Sequence, residues 1–170
     1  ITATVVAASA AVSAKGSFGI ALGGAGADSV NRIAIWTQAA ILGDITTGSR
    51  AINITLDATD TSTISAVTVG ASVAASLALD QGGVRPAIAI GVSLAENRIS
   101  NQVEAIIRNV ASVASTGSVT LTAADRSSIH SVSVAAAVSV AVSKEAGFAV
   151  SGAGAESVNA ISSSTNARIE

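Results

Sequence analysis

Between residues 132 and 143 the chain alternates with a period of two. Val132, Val134, Ala136, Val138, Val140 and Val142 fall on one side, and Ser133, Ala135, Ala137, Ser139, Ala141 and Ser143 on the other. Such alternation predicts a β-strand. Neither side carries a charge, so both are expected to be covered. One side is bulky and the other small, which suits a middle layer packed on both faces. Residues 1–14 (ITATVVAASAAVSA) are Ala-rich enough to suggest a helix. Their remaining positions are Val, Ser and Thr, which lose side-chain freedom in helices or compete for backbone bonds there. This stretch is also expected to be a strand.

The pattern recurs around residues 61–99. Ile1, Ile64 and Ile129 each open an Ala/Val/Ser run, and each run meets a turn: Lys15-Gly16, 80–86, and Lys144 to Gly147. A second apolar run follows and closes at an Asn two residues before an Ile: Asn31/Ile33, Asn97/Ile99 and Asn159/Ile161. Gly-rich segments at 17–27 and 147–155 read as strands in which Gly lets another backbone approach. The next strand is half exposed. Ile99, Asn101, Val103, Ala105 and Ile107 form its inward set, and Ser100, Gln102, Glu104 and Arg108 point away. Loops are expected at 43–50 and 109–117. A last alternating strand follows at 52–58 and 118–124, with Ile54 and Leu56 matching Val119 and Leu121.

The period is roughly 64 residues, and self-similarity at a fixed period marks a repeat architecture. The copies run about 1–63, 64–128 and a partial 129–170, as a single array. The expected fold is all-β: a β-solenoid of stacked repeats with long Ala/Val strands, copies lying about 4.8 Å apart. Asn31, Asn97 and Asn159 would form an amide ladder. Glu104 would lie between Gln38 and Asn166, and Arg108 over Glu170, whereas Asp60 over Asp125 and Arg32 over Arg98 count against strict register. The alternative is antiparallel hairpins in a β-sandwich, with 64–97 as one hairpin. The chain begins without Met and ends inside its third copy, so a segment of a longer array is expected, its ends needing a cap or another copy.

Composition narrows the classes. The 170 residues are 49% hydrophobic but 2% aromatic, with no Cys and no Met. That apolar content excludes a disordered chain. A net charge of −2 leaves no nucleic-acid footprint, and without Cys there is no disulfide or thiolate site. The uncharged run Thr61–Leu79 approaches the length of about 20 residues a membrane helix needs, but its Ser, Thr and β-branched content reads as strand. No membrane span is expected. A membrane barrel would show aromatic girdles, which Trp36 alone cannot make.

The unit GSVTLTAADRSSI at 117–129, the run SVSVAAAVSVAVS and the phrase GVSLAENRI at 91–99 resemble the Ala/Val-rich repeats of very large bacterial exoproteins. These are the leukotoxin-like proteins and relatives of filamentous haemagglutinin exported by two-partner secretion. The resemblance implies an extracellular or cell-surface, adhesive or filament-forming β-solenoid without catalytic residues in its repeats. It implies as partners neighbouring repeats, copies of the same chain, and a host or neighbouring-cell surface.

Candidate chemistry is sparse. Gly23 to Asn31 fits a calcium-binding nonapeptide pattern with Asp28 as ligand, but such sites need tandem copies. Copy three has Ser151 and Glu156 where copy one has the first Gly and the Asp. Calcium at Asp28 is the single metal or cofactor candidate, and chance in a Gly/Ala-rich strand explains the match better. His130 lies near Asp125, Ser127 and Ser128, yet a triad is defined by geometry rather than proximity in sequence. Asn53-Ile54-Thr55 matches a glycosylation sequon. Trp36, aligned with Ser100 or Asn101, reads as a sugar platform or, more ordinarily, as a side chain packed under a loop. The functional expectation is a non-catalytic structural repeat segment. The alternatives are a fibre subunit stacking head to tail and, more remotely, a polysaccharide-acting β-helix enzyme.

Overall fold

A computed structural model describes residues 1–14, 19–43, 48–77 and 84–170. Of the turns expected at 15–17 and 80–86, residues 15–17 and 80–83 lie outside the described residues, while Val84 to Pro86 open a strand rather than a turn. Every regular element among the described residues is a strand. Copy one holds β1 (Thr2–Ser13), β2 (Ala21–Ile33), β3 (Trp36–Leu42), β4 (Gly48–Ala51) and β5 (Ile54–Asp60). Copy two holds β6 (Thr63–Leu77), β7 (Val84–Ile99), β8 (Gln102–Arg108), β9 (Ser112–Ser115) and β10 (Val119–Asp125). Copy three adds β11 (Ser128–Val142), β12 (Ala146–Ile161) and β13 (Ser164–Ile169).

Each strand pairs with the strand five places on. The sheets are β1–β6–β11, β2–β7–β12, β3–β8–β13, β4–β9 and β5–β10. The ladders β1/β6, β3/β8, β8/β13, β4/β9 and β5/β10 are parallel. The antiparallel hairpin over 64–97 does not form, because β6 and β7 belong to different sheets. Parallel neighbours need a long crossover, and here it is supplied by the other strands of the copy.

The register records where copies differ in length. Thr2 faces Ser65, a step of 63 residues, whereas Trp36 faces Gln102, a step of 66. Asn31 already bonds Asn97 at the larger step, so the extra residues of copy two enter between Ser76 and Asn97. Each strand keeps its inward face inward, because a slip by one residue would turn its whole apolar set outward.

Two expectations need correction. The loops at 43–50 and 109–117 contain β4 and β9, which pair Gly48 with Ser112 through Ala51 with Ser115. Their four-residue length leaves too little alternation to read. The Ala/Val strands are not a middle layer covered on both faces. In β6 the buried side is Ile64, Ala66, Thr68, Gly70, Ser72, Ala74 and Ser76, while Val67 and Val73 are exposed. The bulky face points outward and the small face inward.

Contacts divide the chain into two compact units that cut across the copies. Ile1–Asn31, Ser65–Asn97 and His130–Val158 form the first; Arg32–Ile64, Arg98–Ile129 and Asn159–Glu170 form the second. In the first, sheets β1–β6–β11 and β2–β7–β12 meet through small side chains. Ala21, Ala74, Ala87 and Ala89 are their shared core. A Cβ on Gly70 would collide with the Val92 carbonyl, one on Gly91 with the Ala136 carbonyl, and one on Gly23 would sit 2.7 Å from the Val73 oxygen. Several Ser and Thr of this layer are satisfied locally, whereas Ser9 Oγ is buried without a partner among the described residues. Ser93 Oγ donates to Thr68 Oγ1 at 2.8 Å, Ser72 Oγ to the Gly23 carbonyl at 3.2 Å and Ser76 Oγ to the Gly19 carbonyl at 3.3 Å. Close approach thus holds at Gly23, but Gly24, Gly26, Gly152 and Gly154 point into open space.

The second unit has a conventional aliphatic core of Ile54, Leu56, Ala105 and Ile107, with Ala39, Ile41, Val110, Val113, Leu121 and Ala123 packed against it. The inward set expected for β8 is buried as read, and Ile106 is buried with it. Asn109, just past β8, has φ 56, a left-handed turn that Asn tolerates better than other side chains.

Candidate interaction surface

In the first unit, inward placement of Ala, Ser and Gly forces Val and Leu onto the outside of both sheets. On β1–β6–β11 the exposed side chains include Val6, Val67, Val73, Val134, Val138 and Val140. On β2–β7–β12 they include Leu22, Val30, Ile90, Val92, Leu94 and Phe148. Soluble monomers rarely expose contiguous apolar patches beyond a few hundred Å², so these faces are the chain's main candidate for recognition.

The two faces differ in charge. The outer side of β2–β7–β12 carries Asp28, Glu96 and Glu156, which line a shallow groove with Val30, Leu94 and Val158. Asp28 therefore sits on an open sheet face. The Gly23–Asn31 segment runs inside the single extended strand β2, and among the described residues no group of three or more His, Cys, Asp or Glu is placed to hold a metal ion.

The amide ladder is present between the first two copies. Asn31 Nδ2 donates to Asn97 Oδ1 at 2.8 Å and to Ser29 Oγ at 2.9 Å, both Asn side chains being buried. Glu104 faces Gln38 and Asn166 as expected, and accepts from Gln38 Nε2 at 3.1 Å. Arg168 completes this cluster, 4.0 Å from Glu104 and 3.6 Å from Glu170.

The residues near His130 form a structural corner. Asp60 and Asp125 stack in register. Each carboxylate accepts from a backbone N–H two residues on, Ser62 N and Ser127 N, at 2.9 Å. Asn101, buried in copy two, donates Nδ2 to Asp60 at 2.8 Å and accepts from Ile35 N at 3.1 Å. The Ser127 hydroxyl bonds Asp125 and also reaches Asp60 at 3.3 Å. Burial works to raise the Asp125 carboxyl, but hydrogen bonds from the Ser127 hydroxyl, Ser163 and the Ser127 backbone outweigh it and hold the group below its ordinary value. Asp125 and Ser127 thus come together as stacked turns. His130 is exposed, on the outward side of β11.

Three other placements depart from expectation. Trp36 lies opposite Gln102, not Ser100 or Asn101. It is 66% exposed rather than packed under a loop, and it rims a shallow depression with Ala34, Ile35, Ser100 and Gln102. Arg85, read as part of a surface turn, is 2% exposed on the inward side of β7, where its guanidinium donates to the Leu77 carbonyl at 3.4 Å. Its period-two position relative to Ala87 and Ala89 was the available signal. Asn53 lies just before β5, where its side-chain oxygen accepts from Ser118 N at 3.0 Å.

No helix of the described residues is long and apolar enough to cross a membrane. No protein-family model, curated protein or solved structure matches the chain.

Proposed function

We propose that the chain is a β-solenoid segment with a non-catalytic, structural role in an extracellular or cell-surface filamentous or adhesive bacterial protein. The observation that supports this reading is the pairing of every strand with the strand five places on, through three copies. Such an array extends by adding copies, each burying its apolar face against the next, which suits a spacer or stalk. Several of the polar side chains described above hold copies together, as the bonds from Asn31 to Asn97, Gln38 to Glu104 and Asn101 to Asp60 do. Antibodies raised to the segment should label intact cells of the organism that makes it. Labelling only after lysis would sink the surface role.

A second reading is a fibre subunit stacking head to tail. It is favoured by β12, exposed along its full length as an outer strand of its sheet, since open strand edges template further pairing. Long unbranched fibres in negative stain of the isolated chain would support it, and discrete particles at all concentrations would oppose it. A polysaccharide-acting enzyme rests on fold analogy alone.

A further inference from the structure

We infer that the outer face of sheet β1–β6–β11 is a self-association surface, and that its partner is the same face of a second copy of this chain. The inference rests on the sheet itself and stands whether or not the segment is extracellular. Between Thr2 and Val12 on β1, Ser65 and Leu77 on β6, and Val132 and Val142 on β11, no side chain is charged. After the first residues of each strand the outward positions are Val, Ala, Thr and Leu: Val6 is 66% exposed, Val73 46% and Val138 53%, while Val69, Ala71, Ala75 and Leu77 of the central strand are half-buried.

Strands of about 14 residues at about 3.3 Å each, three abreast at about 4.8 Å, give a face of roughly 650 Å². That exceeds the roughly 300–600 Å² of a typical monomer's largest apolar patch. Two such faces together would bury about 1,300 Å², inside the range of about 1,200–2,000 Å² for specific stable interfaces. Aligned sheets pack by interdigitating the side chains of two similar lattices. Rows of Val and Ala at strand spacing match another copy of themselves, with no charge to be left buried, and a two-fold pairing uses one patch twice.

The opposite outer face, on β2–β7–β12, is the internal comparison. It carries Asp28, Glu96 and Glu156 and open glycines at Gly24, Gly26, Gly152 and Gly154, so it is neither uncharged nor evenly filled. A lipid surface fits the β1–β6–β11 face less well than a second copy does. Interfacial binding is built on basic residues with aromatic anchors, and this face has neither.

Sedimentation equilibrium of the whole chain over a wide concentration range is the test. The expected result is a monomer–dimer equilibrium, weakened at least tenfold by Val73→Lys and unchanged by Ile90→Lys on the opposite face, with circular dichroism the same in all three. If Val73→Lys does not fold, Val73→Thr keeps the β-branched shape and should weaken dimerisation in the same direction. A monomer at every concentration would overturn the inference. So would equal weakening by the two Lys variants, or larger oligomers that persist in Val73→Lys and so use strand edges. Flotation of the wild-type chain with phosphatidylcholine vesicles should leave it in the unbound fraction, and co-flotation abolished by Val73→Lys would assign the face to lipid instead.

Discussion

At the scale of single residues, the interior of the first unit is set by what is missing from side chains. Gly70 and Gly91 sit where a Cβ would strike the backbone of the facing sheet. Overpacking of a filled layer costs about 1–3 kcal/mol, and here the obstacle is backbone that cannot rotate away. Gly70→Val is expected to lower stability to urea by at least that much, whereas Gly26→Val, pointing into open space, should be tolerated or slightly stabilising. Equal effects would mean that the sheets do not approach closely at Gly70. Asp125 makes a different prediction. Its carboxyl is held low by Ser127 and Ser163 against the effect of burial. A group depressed on folding adds stability above its unfolded value, about 3.9 for Asp, and loses it as pH falls through the lower native value. Wild type minus Asp125→Asn stability should therefore be positive at pH 7 and shrink through and below pH 4. A difference independent of pH would contradict this. The Asp60–Asp125 stack is legible in the sequence as an alignment, although there it reads as a conflict. Like charges need not repel strongly when backbone and Ser donors surround each one, and a sequence does not display those donors in place.

At the scale of elements, the long strands were legible because their alternation is uninterrupted and repeated three times. Which face is buried was not. Both faces of β6 and β11 lack charge, so hydropathy alone assigns no inside. The structure assigns it by fit: Ala, Ser and Gly allow the sheets to meet at backbone distance, and Val on that side would hold them apart. β4 and β9 are not legible for a related reason, since four residues are too few to display a period. Side chains that bridge copies contribute according to burial. Asn97 is 1% exposed and accepts from Asn31. Asn97→Ala should cost about 1–3 kcal/mol, the penalty for a buried polar group left without its partner. Gln38→Ala, which removes an exposed bond to Glu104, should fall within about 0.5 kcal/mol of wild type. Urea titrations of both variants check the contrast, and a large loss in Gln38→Ala would show that exposed bridges carry more of the stacking than burial suggests.

At the scale of the whole molecule, the central claim is that equivalent strands of successive copies lie side by side, parallel and in register. Position along the chain then matters less than position within the copy. Asn31 meets Asn97 and Gln38 meets Glu104 across some 66 residues, while β6 and β7, neighbours in sequence, lie in different sheets. The chain contains no Cys, so introduced pairs report cleanly. Parallel strands about 4.8 Å apart fall within the Cα separation of about 4.4–6.8 Å that a disulfide spans. The account predicts that the double variant Gln38→Cys/Glu104→Cys closes an intramolecular disulfide under mild oxidation, while Val73→Cys/Ile88→Cys, the pair a hairpin over 64–97 would bring together, stays reduced. Closure of the second pair and not the first would contradict it.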